Sequence, residues 1–164
     1  LGVKSQLTEV GEVVETALKR LTRRLSGHRV IRTLPSDLPF AKADPLLLEQ
    51  ALVNLLDNAA KYAPPGTTIT IRGMTDVGQI ILTIADEGPG IPTAELPRIF
   101  DKFYRARKGD LGTAGTGLGL SVARGFIEAF GGTLDAANRT DREGAIFTLT
   151  LPIGEGQERG NHGR

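Results

Sequence analysis

Three groups of residues in this 164-residue chain have the types and spacing to do chemistry. The first is the segment GTAGTGLGLS, with glycines at 112, 115, 117 and 119 running into an apolar stretch. A helix start carries unpaired N–H groups and a partial positive charge, so a glycine loop placed there suits an anion such as phosphate. A flexible linker ahead of a core helix would use the same residues. No Lys-Ser/Thr follows the last glycine, and no third glycine completes a dinucleotide fingerprint.

The second group lies in DPLLLEQALVNLLDNAAKYA. Gln50, Asn54, Asn58 and Lys61 recur at intervals of four, four and three, which aligns them along one stripe of a helix. Asparagine is a poor helix former, and a solvated face would more naturally carry Glu and Lys. Carboxamides beside a lysine suit a hydrated Mg²⁺ and the phosphates next to it, although a plain solvent face stays open on these residues alone. The third group is IILTIADEGPGIP, where Asp86 ends an apolar strand and Gly88 and Gly90 follow. A carboxylate there can accept a hydrogen bond from an exocyclic amine while the glycines let a flat base approach the backbone. An ordinary Asx turn is the alternative.

The elements that must position these groups can be read from periodicity. Residues 8–25 repeat apolar side chains at helical spacing, through Val10, Val13, Val14, Ala17, Leu18, Leu21 and Leu25. Residues 30–34 suit a strand. Asp44-Pro45 opens a second helix, which presents Leu47, Leu48, Ala51, Leu52, Leu55, Leu56, Ala59 and Ala60 to a core and stops at Pro64-Pro65-Gly66. Strands are expected at 68–72 and 79–85, joined by a hairpin turn. A short helical piece follows near 93–103, then a third helix over about 117–130, then strands at 133–138 and 145–151. This order lacks strict βαβ alternation. It therefore predicts an α/β (α+β) two-layer sandwich, a mixed and mostly antiparallel sheet covered on one face by three helices.

Composition excludes several classes. With 20 basic and 19 acidic residues the net charge is +1, so general nucleic-acid binding is not expected. There is no cysteine for disulfides or thiolate metal sites, and two histidines do not make a metal cage. No apolar stretch approaches a membrane span, so a cytoplasmic setting is the expectation, with a membrane-anchored parent protein compatible with it.

Together, Asn54…Asn58-Ala59…Lys61-Tyr62, Asp86-Glu87-Gly88-Pro89-Gly90, Phe100…Phe103 and Gly115-Thr116-Gly117-Leu118-Gly119-Leu120 resemble the N, G1, F and G2 boxes of sensor histidine kinases, in that order. The likeness is to their ATP-binding catalytic domain, of the Bergerat (GHKL) type, and covers about residues 8–152. KFYRARKGD and GTGLGLSVARGFIEAFGGTL further resemble the potassium-sensing, Kdp-type kinases.

The resemblance implies a protein histidine kinase domain that binds ATP and Mg²⁺. Asp86 would receive the adenine amino group, with Gly88, Gly90 and Tyr62 shaping the base pocket. Asn58 would be the Mg²⁺ ligand, Asn54 would support the metal or its waters, and Lys61 and Arg105 would contact phosphate. Gly115, Thr116, Gly117, Leu118, Gly119 and Leu120 would bind phosphates at a helix start, and 101–116 would form a lid, mobile without nucleotide. Neither His28 nor His162 has an acidic neighbour of the phosphoacceptor kind, and both read as surface residues. The acceptor would then sit on an upstream dimerisation and histidine-phosphotransfer hairpin, with residues 1–7 the end of its linker, 8–152 the catalytic domain and 153–164 a disordered tail. The partners implied are that hairpin and, through the whole kinase, a response regulator, the fragment itself being monomeric. The alternatives are an ATP-hydrolysing clamp, an anti-sigma-type serine kinase of the same fold, or a non-catalytic nucleotide-binding regulator. Clamp ATPases of this type place a glutamate where Asn54 stands, and an amide is a far weaker base.

Overall fold

The computed structural model describes residues 2–104 and 119–154. Eleven elements run in the order β1 (Gln6–Thr8), α1 (Val10–Arg20), β2 (Arg29–Thr33), β3 (Ala41–Ala43), α2 (Pro45–Tyr62), β4 (Thr68–Asp76), β5 (Gln79–Ala85), a 3₁₀ turn (Thr93–Arg98), α3 (Gly119–Ala129), β6 (Thr133–Asn138) and β7 (Ala145–Pro152). Five strands form one sheet in the order β2-β4-β5-β7-β6. Only β2 and β4 run parallel, so the sheet is mixed and mostly antiparallel, as the sequence predicts.

Strict alternation along the central strands builds the core. Ile69, Ile71, Ile80, Leu82, Ile84, Phe147, Leu149 and Leu151 are buried, while Thr70, Arg72, Thr83, Thr148 and Thr150 face the other way. The buried set merges with Val10, Val14 and Leu18 of α1, Leu48, Leu52 and Leu55 of α2, and Ile127 of α3 in a single cluster. Leu47 and Ala60 sit at its margin, partly buried.

Helix α2 begins as its sequence dictates. Asp44 takes an extended conformation and its Oδ1 accepts from the Leu46 and Leu47 N–H groups at 3.0 and 3.3 Å, with Pro45 in the first turn. Its other oxygen accepts the Lys4 N–H at 2.9 Å. The chain entering the domain is thereby strapped to the cap of α2. Residues 1–7 were expected to be linker, but Gln6 and Leu7 belong to β1, which pairs antiparallel with β3. Residues 153–154, expected in the tail, are also tied down: Ile153 bridges to Ala41 and the Gly154 N–H donates to the Phe40 carbonyl at 2.9 Å.

Other boundaries move for local reasons. α1 ends at Arg20 and the chain continues in turns, yet Leu21 and Leu25 stay buried, which is what extended the apolar pattern to 25. β4 runs on to Asp76, so the hairpin turn contracts to Val77-Gly78. The helical piece is a 3₁₀ turn over Thr93–Arg98 with Pro97 inside it. No helix among the described residues is long and apolar enough to cross a membrane.

Candidate functional site

The site forms where the C-terminal end of α2, the loop after β5 and the start of α3 meet. Asp86 follows β5 directly and is 5% exposed. Its Oδ1 accepts from two backbone amides, Gly88 at 2.8 Å and Ala145 at 3.2 Å, while its own N–H donates to the Ala145 carbonyl at 3.0 Å. Burial pushes the Asp86 carboxyl above the ordinary carboxylate range, against the opposing pull of those two amides and of Arg139. Both amide donors use Oδ1, so Oδ2 is the oxygen available to a ligand N–H. The Asx-type turn is therefore present, and it orients the acceptor instead of competing with that role.

Gly88 packs tightly on the end of α2. A Cβ there would lie 3.0 Å from the Tyr62 carbonyl oxygen and 3.2 Å from Asp86 Oδ1. This contact brings the Asp86 loop against Tyr62, the last residue of α2. The Lys61 ammonium lies 5.2 Å from the centroid of the Tyr62 ring. One turn back, the Asn58 side chain is half-buried with no hydrogen-bond partner among the described residues.

Asn54 is engaged. Its Oδ1 accepts from Gln50 Nε2 at 3.1 Å, and its Nδ2 donates to the Gly119 carbonyl at 3.1 Å. The amide stripe thus ties the start of α3 to α2. Among the proposed phosphate-binding residues, Gly119 and Leu120 open α3. Arg105, Gly115, Thr116, Gly117 and Leu118, and most of the expected lid, lie outside the described residues.

Of the F-box residues, Phe100 packs edge-on against Phe147 with centroids 6.3 Å apart, and the Arg124 guanidinium of α3 lies 4.4 Å from its ring centroid. Phe103 is exposed and has a positive φ of 64°.

Two features were not anticipated. The loop between β6 and β7 closes over the back of the Asp86 loop, through Asn138, Arg139 and Gly144. Its sequence, NRTDREG, carries no local sign of this role, which depends on where it folds. Glu87 is also fixed, accepting from the Thr68 N–H at 3.0 Å and pairing with Arg142 at 2.8 Å. That amide, then Arg142, holds its carboxyl below the usual range. One expectation is corrected. His28 is not a plain surface residue but half-buried, with Nε2 3.0 Å from the Ala63 carbonyl just beyond α2.

The donor set fits a hydrated Mg²⁺ better than a cation caged by protein. No group of three or more His, Cys, Asp or Glu among the described residues could hold a metal. The unpartnered Asn58 carboxamide offers one oxygen, and a cation there would take its remaining ligands from water and phosphate.

Comparison with known proteins gives the family. Residues 43–155 match the family described as histidine kinase-, DNA gyrase B-, and HSP90-like ATPase. The sensor protein KdpD of Clostridium acetobutylicum is 36% identical over 151 residues, covering 92% of this chain and 17% of that protein. The adaptive-response sensory kinase SasA of Trichormus variabilis is 40% identical over 151 residues, covering 90% of this chain and 37% of its own. The chain thus spans well under half the length of these relatives. Among solved structures, a mycobacterial sensor histidine kinase, MprB, superposes with a TM-score of 0.78 at 30% identity, covering 92% of this chain and 98% of that one.

Proposed function

Since the chain belongs to the histidine kinase-, DNA gyrase B-, and HSP90-like ATPases and is a catalytic domain of the sensor-histidine-kinase type, we propose that it binds Mg-ATP and passes the γ-phosphoryl group to a histidine on a separate dimerisation and phosphotransfer hairpin. The observation that carries this reading is the Asp86 carboxylate, buried and aimed by two backbone amides, set against the helix that bears Asn58 and Lys61.

A carboxylate oxygen at that place accepts the amino group of adenine, whereas guanine would present a carbonyl oxygen to it. Tyr62 and the Gly88 backbone supply a flat surface for the base. Asn58 is the protein ligand for Mg²⁺, which neutralises charge on the phosphates when bound. Asn54 Nδ2 holds the Gly119 carbonyl at the start of α3, and its Oδ1, which accepts once from Gln50, keeps a second lone pair for a water of the metal. Lys61, Arg105 and the backbone at Gly115, Thr116, Gly117, Leu118, Gly119 and Leu120 carry the remaining phosphate charge. Transfer then requires positioning more than covalent help. An imidazole nitrogen of the hairpin forms a bond to the γ-phosphorus, the bond to the ADP oxygen breaks, and its electron pair leaves with ADP.

Hydrolysis of ATP by water is the competing reading. It calls for a base beside the metal, and the Asn54 carboxamide is both a weak base and committed to Gln50 and Gly119. SasA is named a sensory kinase and KdpD a sensor protein, which supports a hairpin and a response regulator as partners and a cytoplasmic site of action. KdpD and SasA match at comparable identity, so potassium sensing stays with the KdpD relatives. Incubating the chain with labelled ATP and Mg²⁺, with and without a purified histidine hairpin, tests the proposal. Label on the hairpin with little free phosphate is expected. Steady phosphate release with no hairpin labelling would refute it.

A further inference from the structure

The loop that carries Asp86 is held from behind. Asn138, the last residue of β6, grips one residue of that loop at both of its backbone polar groups. The Ile91 N–H donates to Asn138 Oδ1 at 2.7 Å, and Asn138 Nδ2 donates to the Ile91 carbonyl at 2.7 Å. Gly90 has a positive φ of 79°, and a Cβ on it would lie 2.8 Å from Asn138 Oδ1. The next residue acts at the other end of the loop. Arg139 Nη1 donates to the Asp86 carbonyl at 3.1 Å, and its N–H donates to the Gly144 carbonyl at 2.8 Å. The Arg139 side chain is only 12% exposed and is locked by a bidentate pair with Asp141, with both bonds at 3.0 Å. Gly144 has a φ of 145°, and any Cβ there would collide with the Asp86 carbonyl oxygen.

The peptides on either side of the base-recognition residues are therefore pinned by side chains more than 45 positions away in sequence. Gly88 and Gly90 give the loop little stiffness of its own, so without these bonds the Gly88–Ile91 backbone, whose Gly88 N–H is one of the two amides that aim Asp86, would be held less closely. We infer that Asn138 and Arg139 are positioning residues that set how strongly and how selectively the domain takes an adenine nucleotide. Neither touches the base. They act by fixing the Asp86 carboxylate and the backbone at Gly88 and Gly90. The inference rests on the reading of Asp86 as the adenine acceptor.

The test measures ATP and GTP affinity by calorimetry, with thermal midpoints, for the chain and for Asn138→Ala, Asn138→Asp and Arg139→Met. Asn138→Ala removes both bonds to Ile91 and, at about fivefold for each bond, should weaken ATP by up to about 30-fold. GTP binding should change much less, so discrimination falls. Asn138→Asp keeps the acceptor for the Ile91 N–H and should recover part of the ATP affinity. Arg139→Met loses the bond to the Asp86 carbonyl at similar length and should weaken ATP by about fivefold. It serves as the independent check if the Asn138 variants fold poorly. A lowered midpoint with ATP affinity and ATP-over-GTP preference unchanged would overturn the inference, because the contacts would then serve stability alone. If the unsubstituted chain itself shows no preference for ATP over GTP, the Asp86 reading fails, and this inference fails with it.

Discussion

Replacing Asp86 with asparagine tests adenine recognition at its centre. The Gly88 and Ala145 N–H groups both need an acceptor at the Oδ1 position. In Asp86→Asn they hold the amide oxygen there, so the NH₂ group takes the place of Oδ2. A donor then faces the amino group of adenine. The lost bond is charge-assisted, about 1.5–3 kcal/mol, which corresponds to roughly 10- to 150-fold weaker ATP. The same NH₂ can donate to the carbonyl oxygen of guanine, so GTP should hold or improve. Burial raises the Asp86 carboxyl in the folded chain. Its charged form is therefore penalised at neutral pH, and that penalty is relieved as pH falls through the raised value. The thermal midpoint of the variant at neutral pH should match or exceed that of the parent. ATP affinity of the parent should fall as pH drops through that same range, while the variant's dependence is flatter. Calorimetry with ATP and GTP across pH reads all of this. Equal loss for the two nucleotides, or unchanged ATP affinity, would refute the reasoning.

Three further outcomes are expected. Asp44→Ala removes the acceptor for Leu46, Leu47 and Lys4 and should cost about 1–2 kcal/mol, or roughly 2–8 °C in thermal midpoint. The Lys4 amide, more than any other group, holds the Asp44 carboxyl below its ordinary value. That stabilisation is present above the ordinary carboxylate range and lost as pH falls through the folded value, so melts of parent and variant should converge at low pH; a constant gap would count against it. The chain alone with labelled ATP should stay unlabelled, because His28 is turned to the Ala63 carbonyl; stable label on His28 would overturn this. Asn54→Glu sets a carboxylate against the Gly119 carbonyl in place of an N–H donor. ATP affinity should fall about fivefold for the lost bond and transfer to a supplied hairpin should drop, whereas faster transfer would contradict the role assigned to Asn54.

The parts of this structure that sequence could foretell are those whose causes are local. Asp44-Pro45 starts α2 and Pro64-Pro65-Gly66 follows its end because capping and chain stiffness act within a few residues. The same locality made the central strands visible, through alternation at 79–85 and 145–151. β1 and β3 escaped because three residues hold too little alternation to register. Each exists only through its partner, Gln6 opposite Ala43 and Thr8 opposite Ala41, and the Thr8 hydroxyl closing on the Ala43 carbonyl at 3.0 Å.

The same division runs through the site. The stripe from Gln50 to Lys61 and the Asp86 loop are legible because spacing of three or four on a helix, or a carboxylate before two glycines, is local information. What each group touches is not. Asn54 reads as a metal residue from its neighbours, yet its donor goes to a carbonyl 65 positions later. Asn138 reads as the polar end of a strand, yet it grips Ile91. α2 links these distant parts. Its cap takes the entering chain at Lys4, its middle takes the start of α3 at Asn54, and its last residue, Tyr62, packs against Gly88. A helix of 18 residues is about 27 Å of stiff rod. The strap at Asp44, the Asn54 tie and the packing of the Asp86 loop therefore all sit on one continuous, hydrogen-bonded element.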